Sequence, residues 1–439
     1  MDLYDASIQL ATLLETNRTV FVKTEPEVLD FTDSVLSKII VCGTNNSRVE
    51  LEISSGNVAS VMGLLDATIF NKDLVGRCYF WNFKSLASFC KYHTTKFVTP
   101  KTSVVDLKVI EAFLDIHKNP PSSFVEASNR ASVVVQNQDW PAIYKSIHLP
   151  LSLRVLPTIE TTALLDSSLR RSVHAYYEIE GQRHGRLNCS NKFSKSYLPH
   201  TMGPDAKKSI KPKGYGLRFA TADFRYCEVV VLQWLSGDEK LKEILESGED
   251  LHCKIYEVVT GNSCDTEIKR KMSKKMFLPV VYGLGTKGLA EALSVPIPVA
   301  EKVKSNINSV FATAMNWVGQ KQQIAVDGGV VKDYFGRPRK YAPEESYLAR
   351  NLVVQGVAAT VCQEKMIALW TALKDKTAQL AFSVHDGYCV VTPTQEAKEI
   401  YTIMKDTLES ESRLCPGLKM SVEIKFGIRL DEMKVFWTH

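Results

Sequence analysis

Two strand-like apolar runs in the second half of the chain each lead into an aspartate. The first, LRFATADF over residues 217–224, reaches Asp223 just before a helix-like apolar run over 228–238. The second, AFSVHDGYCVV over residues 381–391, contains Asp386. A carboxylate at the end of a buried strand must be compensated, usually by a metal ion or a basic group. Taken alone, Asp223 also fits an ordinary helix cap.

The second run predicts a hairpin with Asp386 at its tip. Asp386-Gly387 is the favoured pair for a two-residue type I′ turn, because both central residues of that turn need positive φ. A plain surface hairpin is the simpler interpretation of such a pair. His385 beside it is unusual in a plain turn.

A third pattern lies between the two aspartates, in RKMSKKMFLPVVYG over residues 270–283. Arg270, Lys274, Leu278 and Tyr282 are each four residues apart, so on a helix they form one slowly turning stripe. Two cations followed by an apolar and an aromatic residue could hold a triphosphate at one end and a base at the other. An amphipathic helix with surface lysines is the alternative. Pro279 predicts a kink in this helix.

Basic residues form three local groups in a chain whose net charge is only +5 over 439 residues. Beside carboxylate motifs, these groups predict a phosphate-facing surface, although each alone could be a solvated face. The groups are Lys207, Lys208, Lys211 and Lys213; Lys269, Arg270, Lys271, Lys274 and Lys275; and Lys332, Arg337, Arg339 and Lys340.

Cysteine usage and hydropathy favour an intracellular protein. The ten cysteines contain no CxxC pair, which argues against a zinc site and against a disulfide framework. The N-terminus has no basic segment followed by a long apolar run, and no apolar run is long enough to predict a membrane span. We therefore expect a cytoplasmic protein, including the cytoplasm of an infected host cell, with no membrane partner.

In order, these patterns resemble the motifs of family A (DNA polymerase I-like) DNA polymerases. The segment from Asp223 to Glu228 resembles motif A, the stripe from Arg270 resembles motif B, and Val384-His385-Asp386 resembles motif C. Linking segments match in the same order at residues 174–191, 249–252, 335–341 and 351–360. The resemblance covers roughly residues 172–439, more than half of the chain.

The resemblance implies an α/β (α+β) right-hand polymerase with palm, fingers and a short thumb. The expected boundaries are an exonuclease-like domain over residues 1–117, a linker and short thumb over 118–172, and palm and fingers over 173–439, with fingers at about 240–335. The paired prolines in KNPPSS, residues 118–123, are typical of a linker.

The resemblance also assigns the site residues. It makes Asp223 and Asp386, together with Phe224, the binding positions for two Mg²⁺ ions, with Mn²⁺ able to substitute. Lys274 joins the two aspartates as a catalytic residue. The dNTP-binding residues are Arg270, Lys274, Tyr282, Glu228, His252 and Leu278, and the primer–template contacts are Arg186, Asn351, Gln355 and His385.

Sugar preference depends, by the same resemblance, on Glu228. A glutamate there blocks a ribose 2′-hydroxyl, which favours dNTPs and a DNA polymerase. Two residues depart from the family pattern: Leu278 stands where an aromatic is usual, and Gly387 replaces a glutamate. Leu278 keeps open a single-subunit RNA polymerase or a mixed-sugar primase-like enzyme.

The N-terminal third predicts an α/β domain with strands at residues 19–22 and 39–41 and helices near 59–65 and 107–115. Residues 20–25, 83–84 and 106–111 are faintly similar to the carboxylate motifs of 3′–5′ exonucleases. Lys23 and Lys84 stand where metal-binding acids are expected, so the similarity implies an exonuclease-like domain without proofreading. An unrelated α/β domain is the alternative.

The expected partners are primer–template DNA, dNTPs, and a processivity factor or other replisome protein to support the short thumb. The short chain and the eroded exonuclease motifs point to a phage or mobile element. A catalytically inactive nucleic-acid-binding protein is the alternative from another class, and the presence of both aspartates with Arg270 and Lys274 argues against it.

Overall fold

The computed structural model describes residues 3–25, 37–43, 47–75, 77–94, 100, 103–114, 121, 126–127, 129–130, 143–189 and 196–435. Most of the 118–123 segment and Asn191 lie outside the described residues, so the predicted linker stays a prediction. The α-helices are α1 Leu3–Thr16, α2 Val58–Ala67, α3 Phe83–Thr94, α4 Leu107–Leu114, α5 Leu156–Thr161, α6 Pro204–Ser209, α7 Cys227–Ser236, α8 Glu239–Glu246, α9 Leu251–Thr260, α10 Glu267–Val281, α11 Thr286–Leu293, α12 Ile297–Val310, α13 Ala312–Val326, α14 Leu348–Ala372 and α15 Ala397–Glu409.

Strands and short irregular helices complete the described chain. The strands are β1 Thr19–Glu25, β2 Ser37–Cys42, β3 Arg48–Ile53, β4 Arg77–Phe80, β5 Ser103–Asp106, β6 Leu164–Asp166, β7 Arg171–Ala175, β8 Tyr177–Glu178, β9 Asn188–Cys189, β10 Ser196–Tyr197, β11 Ile210–Pro212, β12 Leu217–Phe224, β13 Val331–Lys332, β14 Pro338–Arg339, β15 Gln379–Val384, β16 Gly387–Pro393, β17 Val422–Gly427 and β18 Lys434–Val435. Two π-helical turns, Tyr144–His148 and Leu151–Val155, precede α5.

The N-terminal part is built on a five-stranded sheet in the order β3-β2-β1-β4-β5. Strand β2 pairs antiparallel with β1 and β3, whereas β1, β4 and β5 run parallel. Apolar residues of β1 and β4 are buried in two separate clusters, as continuous Val, Phe and Tyr runs favour. The predicted strands at 19–22 and 39–41 and the predicted helices near 59–65 and 107–115 are confirmed.

A second five-stranded sheet, in the order β15-β16-β12-β17-β18, forms the centre of the C-terminal part. Every neighbouring pair in it is antiparallel. Strand β12 lies in the middle of this sheet, and its alternate residues Ala220, Ala222 and Phe224 are all buried. The sheet therefore carries the Asp223 strand and the Asp386 hairpin side by side.

Helices α8 to α13 cover residues 239–326, and the assignment of about 240–335 to fingers stays a prediction. The 25-residue helix α14 runs through the core beneath the site, with buried residues on all its faces. Within the described part of the chain, α14 is long and apolar enough to pass a test for a membrane span, but most of its apolar stretch is buried inside the protein. Burial in a large core explains its composition.

Each part of the chain contributes side chains to the hydrophobic core of the other part. Most buried side chains of β1 to β4 form one core, whereas Val109, Ile110 and Phe113 of α4 belong to the larger core of the C-terminal part. Tyr176 of the C-terminal part in turn belongs to the N-terminal core. The domain boundaries at 117 and 172 stay predictions.

Candidate functional site

The two aspartates predicted to bind metal lie on adjoining elements of the central sheet. Asp223, near the end of β12, is the register partner of Gly387 on β16. Asp386 lies in the turn between β15 and β16, and the backbone N–H of Phe224 donates to its carbonyl oxygen at 3.3 Å. The fold thus brings Asp223, Phe224 and Asp386 together, although 162 residues separate the two acids in the sequence.

The hairpin is confirmed, but the predicted turn type is wrong. Val384 pairs with Gly387, so the two loop residues are His385 and Asp386. His385 has φ 53°, whereas Asp386 and Gly387 are not among the described residues with positive φ. Glycine is needed at 387 for a different reason: a Cβ there would collide with the Asp223 carboxylate. Gly387 lies within β16, and the Asp223 side chain of the paired strand β12 occupies the space that a Cβ would need.

Neither aspartate forms a direct ion pair among the described residues, although Lys425 and Lys207 act to lower the pKa of Asp223 and Arg186 acts to lower that of Asp386. Asp223 is exposed in the cleft and Asp386 is half-buried. Partial removal from water raises the pKa of each carboxyl, and the charge of Asp386 raises the pKa of Asp223 further. Within the described residues, no lysine or arginine nitrogen comes within 4.0 Å of either carboxylate. Two close acids without a directly paired cation are a suitable arrangement for a divalent cation with hard oxygen ligands.

Glu228, in the first turn of α7, is the centre of a side-chain network. Its carboxylate accepts hydrogen bonds from Arg186 and from the Tyr282 hydroxyl, and Gln355 Nε2 lies 3.4 Å from Oε2. These residues come from a loop, the position directly after α10 and the first half of α14. The structure therefore brings together four residues that sequence reasoning had assigned to separate dNTP and primer–template roles.

The cationic stripe lies on α10 as predicted. Arg270, Lys274 and Leu278 belong to this helix, and Tyr282 follows its last residue. The helix continues through Pro279 and ends two residues later, so the missing N–H of the proline falls in the last turn. His252 lies on neighbouring α9, where burial and Lys274 lower the pKa of its imidazole to about 4.

The two remaining predicted primer contacts, His385 and Asn351, lie at the hairpin tip and on α14. The His385 ring stacks on His200 with centroids 4.8 Å apart, and burial lowers the pKa of His200 to about 4. On α14, Asn351 has a buried Oδ1 without a hydrogen-bond partner among the described residues. A buried amide oxygen without a partner is suited to accept from a ligand.

The third basic group is not a phosphate-facing surface, which corrects the prediction for two of its four members. Arg337 and Arg339 are 0% and 2% exposed. Arg337 donates to Glu180 at 3.0 and 2.7 Å and also pairs with Asp333, while Arg339 donates to backbone carbonyls of Phe113, Ala112 and Arg183. Lys332 and Lys340 are exposed. Buried acids elsewhere in the fold, rather than phosphates, neutralise this arginine cluster.

Asp250 and Tyr226 were not predicted as site residues. Asp250 lies two residues before His252, and its carboxylate accepts from Arg270 at 2.9 and 3.0 Å and from the Tyr226 hydroxyl at 3.1 Å. An acid at a helix N-terminus, two residues before a predicted substrate ligand, was the available signal.

The central antiparallel sheet with its paired carboxylates and the helical segment carrying the cations define a right-hand polymerase fold. A family model for DNA polymerase family A matches residues 143–432. The chain belongs to DNA polymerase family A.

Individual relatives agree with the family. The chain is 26% identical over 275 residues to DNA polymerase I of Chloroflexus aurantiacus, covering 60% of this chain and 29% of that protein. It is 25% identical over 267 residues to thermostable DNA polymerase I of Thermus aquaticus, covering 57% and 32%. With the DNA polymerase of Mycobacterium phage L5 it shares 29% identity over 179 residues, covering 41% and 29%. The matched region spans about a third of the length of these relatives.

A solved structure shares the fold along nearly the whole chain. The POL domain of Pol1 from M. smegmatis, in complex with DNA primer–template and dNTP, superposes with a TM-score of 0.74 at 14% identity. The alignment covers 96% of this chain and 98% of that domain. At this identity the likeness establishes the fold.

Proposed function

We propose that this protein is a template-directed DNA polymerase that extends a primer 3′ end with dNTPs by two-metal phosphoryl transfer. The observation that carries the proposal is the meeting of Asp223 and Asp386 at the joint of β12 and the β15–β16 hairpin. Two divalent ions at such a pair would activate the 3′-hydroxyl and neutralise charge on the attacked and departing phosphates.

The residues present fit two Mg²⁺ ions. Asp223 and Asp386 supply hard carboxylate oxygens; burial raises the pKa of both, the charge of Asp386 raises that of Asp223 further, and bound cations would relieve this cost. Phe224 lies between them with its amide committed to Asp386. Asp223, Asp386 and the Phe224 carbonyl would hold the ions, and Mn²⁺ can take the same oxygen ligands.

The chain's other residues would bind and orient the substrates. Arg270 and Lys274 present two cations from adjacent turns of α10 to a triphosphate, with His252 beside them and Lys274 able to donate to the departing phosphate. Leu278 and Tyr282, at the far end of the same stripe, would contact the base of the nucleotide. Primer–template DNA would lie against Arg186, Asn351, Gln355 and His385, by analogy with the relative solved with primer–template and dNTP.

Glu228 would exclude a ribose 2′-hydroxyl. Hydrogen bonds from Arg186 and Tyr282 hold its carboxylate in one position. A ribose 2′-hydroxyl would therefore clash with a side chain that cannot move aside. This constraint favours DNA synthesis over the single-subunit RNA polymerase or mixed-sugar alternative suggested by Leu278.

Glu228→Ala is expected to raise the ratio of rNTP to dNTP insertion efficiency roughly ten- to hundredfold, because the side chain that blocks the 2′-hydroxyl is removed. Single-nucleotide insertion on one primed template, with Mg²⁺ and either dATP or rATP, measures the ratio. Glu239→Ala, which removes an exposed glutamate from α8, is the matched control and should leave it unchanged. An unchanged ratio in Glu228→Ala would place sugar selection elsewhere. If the wild-type protein failed to extend primers with Mg²⁺, the inactive DNA-binding alternative would be favoured.

We also propose that the N-terminal part is exonuclease-like and lacks proofreading. Its strand order, with β2 antiparallel to its neighbours, supports an RNase H-like fold. The acids at the compared positions have other partners: Asp106 accepts from the amides of Asn82 and Phe83, and Glu111 pairs with Arg130 at 2.7 Å.

Lys84 has a structural role that is incompatible with a metal at its position. Its Nζ lies 2.6 Å from Glu160 of α5, and both side chains are buried. Glu160 also accepts from the Tyr177 amide at 2.9 Å, and the Lys84 ammonium lies over the Tyr176 ring. A buried, paired lysine in place of an acid supports a domain that braces the polymerase part instead of hydrolysing DNA.

The purified protein is therefore expected to leave a mispaired primer 3′ end intact. The measurement is release of labelled dNMP from matched and mismatched primers with Mg²⁺, without added dNTPs or pyrophosphate. Mg²⁺-dependent release of dNMP from the mismatch would contradict the proposal. If release occurred, Asp106→Asn would test whether the N-terminal part is its source. The intracellular location, the processivity partner and the phage or mobile-element origin stay predictions from the sequence.

A further inference from the structure

Asp250 uses its two carboxylate oxygens for different purposes. Oδ1 caps helix α9 by accepting from the Cys253 amide at 3.0 Å. A cap needs one acceptor, which serine or asparagine could supply equally well. The second oxygen is therefore available for a separate task.

Three donor groups converge on Oδ2 of Asp250. Arg270 approaches with its Nε–Nη2 edge, at 3.0 and 2.9 Å, and the Tyr226 hydroxyl lies at 3.1 Å. Tyr226 is in the left-handed region with φ 58°, three residues after Asp223, and its ring packs against His252 with centroids 5.2 Å apart. Asp250 thereby links the metal-binding strand end to the cationic helix α10.

The charge on Asp250 is permanent at neutral pH. Although burial alone would raise it, Arg270, the Cys253 amide and Tyr226 lower the pKa of Asp250 to about 2. By contrast, Lys274, one turn further along α10, is exposed, and within the described chain no carboxylate lies within 4.0 Å of its Nζ. Of the two cations offered to the triphosphate, Arg270 is held in one direction and Lys274 is not.

We propose that Asp250 is a positioning residue that orients Arg270 for the incoming triphosphate, an inference that rests on the proposed function. Asp250 holds the Nε–Nη2 edge of the guanidinium and leaves Nη1, which lies 3.7 Å from exposed Glu267, for a phosphate oxygen. A long arginine side chain otherwise samples many rotamers, so fixing one edge lowers the entropic cost of binding the phosphate.

The decisive variant is Asp250→Asn, because the asparagine oxygen can keep the helix cap while an NH2 group replaces the charged oxygen that accepts from Arg270 and Tyr226. We expect KM for dNTP to rise about tenfold with kcat changed less than about threefold, since a ground-state orientation is lost. Tyr226→Phe should raise KM about two- to threefold, because one of three donors is removed. Asp265→Asn, which removes an exposed acid paired with Lys269 near the same helix, should leave KM unchanged.

Coupling between the two residues separates positioning from a merely structural role. On an Arg270→Gln background, Asp250→Asn should add little to KM, because there is no guanidinium left to orient. A lower KM in Asp250→Asn would mean that Asp250 competes with the triphosphate, and an equal rise in both backgrounds would mean that it acts only through the fold. Either result overturns the proposal.

Binding of inorganic tripolyphosphate distinguishes this proposal from the polymerase proposal. Calorimetric titration should give a Kd about tenfold higher for Asp250→Asn than for the wild type, and the same Kd for Arg270→Gln with or without Asp250→Asn. If the wild-type protein binds tripolyphosphate but does not extend primers, the polymerase proposal is wrong. The ratio of the two Kd values still tests the role of Asp250 in that case. Equal Kd values for wild type and Asp250→Asn, or no wild-type binding, overturn the positioning role.

Discussion

Asp223→Asn and Asp386→Asn are each expected to lower the rate of primer extension by roughly three orders of magnitude or more, about 4 kcal/mol in activation free energy. Asparagine keeps the size and the hydrogen-bonding capacity of each side chain but removes the negative charge that two cations require. Single-turnover extension with saturating dNTP and Mg²⁺ measures the loss. Near-normal extension by either variant would overturn the assignment of the metal-binding pair.

Two further measurements separate lost chemistry from lost structure. The free energy of unfolding should be retained or slightly raised, because the substitution removes repulsion between two close acids whose pKa values are raised in the fold. Mn²⁺ binding, followed by electron paramagnetic resonance, should weaken in both variants. Asp406→Asn, an exposed acid on α15, is the control and should change neither binding nor extension.

Arg337→Met is expected to destabilise the protein by about 3–5 kcal/mol, because it leaves Asp333 buried without its cation and Glu180 with only His148 and the more distant Arg339. All three side chains are 0% exposed. Although burial alone would raise it, Arg337 and His148 hold the pKa of Glu180 well below its usual range, so this carboxylate is ionised inside the protein. Urea unfolding of the variant, followed by circular dichroism, measures the change.

A control and a second variant keep this prediction testable if Arg337→Met folds poorly. Lys340→Met changes an exposed lysine of the same segment and should alter stability by about 0.5 kcal/mol or less. Combining Arg337→Met with Glu180→Gln should cost less than the sum of the single changes, because one uncompensated charge is removed. Additive losses, or a stable Arg337→Met, would show that the cluster is not an ionised network.

Local patterns predicted the elements that carry the site. Strand β12 and helices α7 and α10 have the periodicities that their sequences show, since burial of one face imposes those repeats. The hairpin at Asp386 also followed from two flanking apolar runs. Its turn type did not, because the strand pairing of Gly387 with Asp223 shifts the loop by one residue.

Charge patterns were a weaker guide, because a cluster of cations in sequence does not reveal what neutralises it. Arg337 and Lys332 are near neighbours, yet one is fully buried and the other exposed. The acid that pairs with Arg337, Glu180, is 157 residues away in the sequence. Similarly, Lys84 could be recognised as a departure from an acidic motif, but its partner Glu160 is visible only in the folded chain.

The sequence by itself determined the chemistry available to this protein: two strand-end aspartates, a stripe of cations four residues apart, and a glutamate five residues after the first aspartate, in the order found in DNA polymerase family A. The tertiary structure decided how these groups constrain one another. Only the fold brings Arg186, Tyr282 and Gln355 onto Glu228, and Asp250 onto Arg270. Local spacing reports which face of an element is buried, whereas the partner of a charged side chain depends on which distant elements pack against that face.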